Sequence, residues 1–124
     1  MDFKDLIAYK KAFKLAMKIY QVSKLFPKEE RYSLTDKIRR SSRSTCANMA
    51  EAYRKRIYPK HFITKLTDSD GENSETDVWL DFALACEYIT KETYNPLHLE
   101  CIEIGKLINF MINNPDKFGS SKVS

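Results

Sequence analysis

With 124 residues, 43% apolar and 31% charged, the chain is long enough for one hydrophobic core but not for two, and its composition is that of an ordinary folded domain. No apolar run reaches the roughly 18 residues of a membrane span, the start MDFKDLIAYKK lacks the order of a signal peptide, and the distant Cys46, Cys86 and Cys101 suit reduced thiols, so a cytoplasmic location is expected. Three glycines, four prolines and no alternating strand pattern exclude a substantial sheet, which leaves an all-α class.

Phe3, Leu6, Phe13, Met17 and Tyr20 recur at helical spacing and predict a first helix over 5–25, with Lys10, Lys11, Lys14, Lys18 and Lys24 mostly turned elsewhere. Pro27 stops it, because a proline disfavours helix in the residue before it, and 26–32 forms a charged connector. Ser33 is placed to cap a second helix running to Arg56, with Asp36 in its first turn. At about 100° per residue, Leu34, Ile38, Ser42, Thr45, Met49 and Ala52 share one side of that helix. Arg39, Arg40, Arg43 and Arg54 occupy another, with Ala47 and Ala50 among them.

Pro59 opens a third helix that extends to about Ile89. Its inward stripe, Phe62, Leu66, Ser69, Asn73, Thr76, Leu80 and Ala83, is apolar at the ends and polar in the middle. Gly71 costs about 1 kcal/mol of helix propensity and implies a kink or a packing reason. Lys91–Asn95 reads as a turn, after which Pro96 opens a fourth helix with Leu97, Cys101, Ile104, Ile108 and Met111 inward, ending near Asn114. The expectation is a single antiparallel up-and-down four-helix bundle over 1–114, followed by a flexible C-terminal tail over 115–124.

The net charge of +4 conceals a division. From Lys37 to Lys65, nine Lys or Arg stand against Glu51 alone, a balance of +8; from Leu66 to Thr90 there are seven acids and no Lys or Arg, a balance of −7. One reading is a phosphate-binding surface made by Arg39, Arg40, Arg43, Arg54, Lys55, Arg56 and Lys60, with Tyr53 and Tyr58 nearby. The other pairs the arginines with the acids of the third helix, within a subunit or across an oligomer seam. Small residues between the arginines suit close approach of a phosphate chain or an acidic helix.

Asn48, Glu51, Glu72 and Glu75 form NxxE and ExxE pairs on neighbouring helices and, with Asp68, are candidates for an interface or polar network. A third alternative has Glu51, Glu72 and Glu75 holding magnesium for nucleotide hydrolysis. No catalytic residue, metal ligand or cofactor is assigned. The chain has no CxxC pair, no ExxH motif and no Gly-rich phosphate loop; His61 and His98 stand alone, and Trp79 beside Val78 and Phe82 reads as a packing residue.

The run FPKEERYSLTDKIRRSSRSTCANMAEAYRKR, preceded by DFKDLIAYKKAFKLAMKIY and followed by KHFITKL, resembles the four-helix-bundle family of 23S rRNA intervening-sequence proteins. Its most specific parts are residues 26–30, Leu34, Ile38-Arg39-Arg40, Ser44 and residues 47–51, and the likeness covers about Phe3 to Met111. The resemblance implies a bundle often assembled as a ring-like homopentamer. It also implies kinship with the accessory protein of diversity-generating retroelements, a basic pentamer that binds nucleic acid and a reverse transcriptase. Under it, Arg39 and Arg40 match the family's arginine pair, and Asn48 and Glu51 its polar pair. Cys46 stands where members usually have proline and Ala52 near a usual glycine, so a straighter second helix is expected.

Together these readings describe a non-enzymatic homo-oligomer that binds RNA or DNA weakly and without sequence preference, away from membranes. The alternative is a structural or adaptor subunit for a protein partner. Arg39, Arg40 and Arg43 are expected to be paired or pore-facing, and free positive charge is expected from Arg54 to Lys60.

Overall fold

In the computed structural model, which describes residues 1–122, a short 3-10 turn over Phe3–Asp5 leads into α1, Ile7–Ser23. A second turn at Lys28–Glu30 precedes α2, Leu34–Arg54; α3 spans Pro59–Ala85, α4 spans Lys91–Asn113, and a last 3-10 turn covers Pro115–Phe118. There is no strand among the described residues.

The cross-helix pairs fix the topology. Lys11 and Lys18 of α1 reach Glu103 and Glu100 of α4; Ser41 and Glu51 of α2 meet Thr76 and Lys65 of α3; Asp77 and Asn73 of α3 meet His98 and Cys101 of α4. In each pair one number rises as the other falls, so neighbouring helices run antiparallel, as an up-and-down bundle requires.

The inward stripes of α3 and α4 are those the periodicity predicts, residue for residue, and all six predicted core positions of α2 are buried. Phe62, Leu66, Leu80, Ile104 and Ile108 fill the apolar ends of the core. Between them lies a polar layer. Ser41 and Thr76 share a 2.8 Å hydrogen bond, the Ser69 hydroxyl donates to the Thr45 carbonyl at 2.7 Å, and the Asn73 amide donates to the Cys101 carbonyl at 2.8 Å.

α1 departs from expectation. Its core side is Ala8, Ala12, Leu15, Ala16 and Ile19, whereas Phe13 and Met17 are 52% and 47% exposed. Alanines four residues apart give α1 a low ridge that allows close approach to its neighbours, which larger side chains at those positions would prevent.

The helix ends also differ. Ser33 occupies the N-cap of α2, but its hydroxyl donates to Glu30 rather than accepting from the helix; the Glu30 carboxylate takes the Leu34 N–H at 3.3 Å and the Tyr88 hydroxyl at 2.8 Å. Those hydrogen bonds, Ser33's first and then Tyr88's, hold the Glu30 carboxyl below its usual range, while the bond to Glu30, and then burial, raise the Tyr88 hydroxyl to about 12. α3 stops at Ala85 because Glu87 turns left-handed at φ 62°, with the Tyr88 and Glu87 N–H groups closing on the carbonyls of Ala83 and Leu84. α4 starts at Lys91, five residues before Pro96, because the Thr90 hydroxyl accepts the Thr93 N–H.

Gly71 needs no packing explanation. α3 runs through it, and an added Cβ there would meet nothing within 4 Å. The segment from 115 is packed rather than trailing as far as Ser120: Pro115 and Ser120 are buried, and a Cβ added at Gly119, which has φ 82°, would lie 3.1 Å from Arg56 Cδ. The end of the expected tail, residues 123–124, lies outside the described residues. Cys46 and Cys101 are buried, which pushes their thiols up to about 11 and about 12; Cys86 falls just past α3 and is exposed. No helix among the described residues is long and apolar enough to cross a membrane.

Candidate nucleic-acid interface

Packing of α1 against α2 assembles a cationic cluster around one aromatic ring. Lys24 Nζ, Arg39 Cζ and Arg43 Cζ stand 4.7, 4.8 and 5.7 Å from the centroid of Tyr20, each within cation–π range. The Arg39 Nε–H donates to Ser23 Oγ at 2.7 Å, which sets its guanidinium along the seam. None of the three makes an ion pair among the described residues, so their charges are uncompensated. The sequence stretch 7–25 holds no acid at all, which keeps the α1 side of the cluster free of carboxylates. Tyr20 and Lys24 were outside the predicted site; their spacing of four was the available signal, but only the α1–α2 seam joins them to the arginines.

The other predicted cations separate into different roles. Arg40 points away and pairs with Asp36, 3.1 Å, one turn earlier on α2. Arg54, Lys55 and Lys60 are exposed and form no ion pair among the described residues. Arg56 is not part of that free charge. Its guanidinium lies 4.2 Å over the Tyr53 ring, donates to the Tyr53 carbonyl at 2.8 Å and packs on Gly119, so it serves the fold.

The acids of α3 do not clasp the arginines of α2 within the protomer. On the α4 side, Asp77 holds His98 Nδ1 at 2.7 Å and Asp81 accepts from Tyr94, whose ring stacks on His98. On the α2 side, Asn48, Asp68, Glu72 and Glu75 line one shallow polar concavity with Thr67 and Gly71. Burial, then Glu75 and Asp68, raise the Glu72 carboxyl above its usual range. Glu51 stands apart, 3.4 Å from Lys65, which also lies 3.9 Å from Asp68. No three acidic, histidine or cysteine side chains among the described residues are grouped to hold a metal ion. Trp79 packs 5.9 Å from Phe82 with Lys37 over its ring.

The sequence profile of the 23S rRNA-intervening sequence protein family matches residues 4–110, which covers all of α1 to α3 and most of α4. The chain belongs to that family. A solved relative, a protein of unknown function from the S23 ribosomal protein family of Bacteroides thetaiotaomicron, is similar at a TM-score of 0.79 and 32% identity, over 89% of this chain and 98% of its own. Among curated proteins, none matches.

In this family member the arginine pair divides its work: Arg39 turns into the Tyr20 cluster and Arg40 remains on the α2 surface. The polar pair divides too, with the Asn48 amide donating to the Ser44 carbonyl at 3.0 Å and Glu51 facing Lys65. α2 is one continuous helix through Cys46 and Ala52.

Proposed function

We propose that this family member is a non-enzymatic nucleic-acid-binding module whose contact surface is the α1–α2 face. The observation that carries the reading is the gathering of Lys24, Arg39 and Arg43 over Tyr20 without an ion-paired carboxylate among the described residues. Like charges held together at a surface repel one another, and a phosphate chain relieves that repulsion while releasing its own counterions. Arg54, Lys55 and Lys60 extend the field beyond the far end of α2. The family's description, which refers to an intervening sequence of 23S rRNA, makes RNA the first ligand to test.

Binding to RNA should weaken steeply with ionic strength. Arg39→Glu with Arg43→Glu should reduce low-salt affinity by about 10- to 100-fold and lower the log–log salt slope by about 2. A salt titration by fluorescence anisotropy measures both. Absence of binding at low salt, or affinity indifferent to the double reversal, removes the proposal.

A second reading, self-association, is favoured by the acids on the α2 side of α3. Glu75 and Asp68 both act on Glu72, and among the described residues only Asp68 of the three has an ion-paired cation, at 3.9 Å. The basic segment of a neighbouring copy would relieve them, in a closed ring if the contact is head-to-tail. Light scattering after gel filtration should then give a mass several times that of the chain. A monomer at every concentration eliminates this reading and leaves the first intact.

A further inference from the structure

α1 turns a second apolar side to solvent, and it does so between two rows of cations. Phe13 and Met17, half exposed, are flanked along the helix by the partly buried Tyr9 and Tyr20. The Tyr9 and Phe13 rings lie 6.2 Å apart and tilted by 31°. From Tyr9 to Tyr20 this strip extends about 16 Å along α1 at 1.5 Å per residue. On its outer margin are the exposed Lys10 and Lys14; on its α2 margin are Arg39 and Arg43. Neither lysine makes an ion pair among the described residues, in contrast with Lys11 and Lys18, which are held by glutamates of α4.

An apolar aromatic strip alone fits many partners, and a cationic patch alone fits any polyanion. The combination selects a polyanion that also exposes flat apolar faces. Duplex nucleic acid does not, because its flat base faces are stacked inside and only base edges, sugars and phosphates are exposed; an unpaired strand presents phosphates and base faces together. An acidic protein helix would meet the cations but leave the rings against its charged face.

We infer that the α1 strip is a platform for single-stranded nucleic acid, with bases on Phe13 and Met17 and phosphates on the two cation rows. This rests on the nucleic-acid reading above and adds the strandedness of the ligand.

The test compares an unstructured oligouridylate with a duplex of equal length at fixed low salt, for the wild type and for Phe13→Ala with Met17→Ala. Both side chains are surface positions, and circular dichroism confirms that the variant folds. The wild type should prefer the single strand, and the variant should lose about 10-fold in single-strand affinity while changing duplex affinity less than about 2-fold. Equal binding of both ligands, unaffected by the variant, overturns the inference and leaves the nucleic-acid reading standing. Failure to bind either ligand removes both. If the variant instead converts an oligomer to a monomer in light scattering, the strip is a contact between copies and the inference is wrong.

Discussion

Asn73→Asp should lower the unfolding free energy by about 3–5 kcal/mol at neutral pH, although the two side chains have nearly the same size. Asn73 is buried in the polar layer, and its amide nitrogen donates to the Cys101 carbonyl at 2.8 Å. Aspartate replaces that donor with a negative oxygen facing another oxygen. Asp70 adds to the cost: a Cβ built on Gly105 would lie 3.5 Å from the Asn73 amide and 3.8 Å from the Asp70 carboxylate, so both side chains share that space. The new carboxyl would have a folded-state pKa raised above its unfolded value of about 3.9. Its penalty is therefore present above that unfolded value and fades as the pH falls toward it. Urea unfolding of variant and wild type near neutrality and near pH 4 measures the difference. A small deficit that is the same at both pH values would mean that the layer is wet and the Asn73 bond dispensable.

Phe62→Ala should cost about 3–5 kcal/mol, a large part of the 5–15 kcal/mol that holds a domain of this size. Phe62 is fully buried at the start of α3, so truncation leaves a void in the apolar end of the core. Phe13→Ala, the same chemical change on α1, should alter stability by no more than about 0.5 kcal/mol, because half of that ring is already in water. The pair of unfolding midpoints tests the rotation of α1 directly. Comparable losses would place Phe13 in the core and remove the exposed strip.

The contrast between these two phenylalanines explains what was legible in the chain. In α2, α3 and α4 only one side of each helix can be buried without stranding several charges, so the periodicity identified Ile38, Leu66 and Ile104 as core. α1 offers two usable sides. Its bulkier one, through Phe13 and Met17, attracts the eye, but the side that fits holds Ala8, Ala12 and Ala16, and the choice depends on neighbouring helices. The end of α3 carries no glycine to announce it, since Glu87 adopts the left-handed turn. Pro96 suggested the start of α4, while the Thr90 hydroxyl set it five residues earlier than the proline. At the candidate site, Arg39 and Arg43 could be read as a cluster, but their ring partner is 19 residues from the first and 23 from the second in the sequence and joins them only through packing. Arg56 gave no sign that Tyr53 and Gly119 would claim it.

The polar layer has one more consequence, for axial alignment. Leucines and isoleucines at the ends of a bundle would accept their partners one turn up or down with little loss, because apolar contact has no direction. The bonds from Ser69 to Thr45, Ser41 to Thr76 and Asn73 to Cys101 do have direction. Sliding α3 by a single turn, about 5.4 Å, would break all three and leave their donors facing hydrocarbon. The layer thus works as a set of index marks, admitting one setting of α3 between α2 and α4 and excluding the slipped bundles that greasier helices could share.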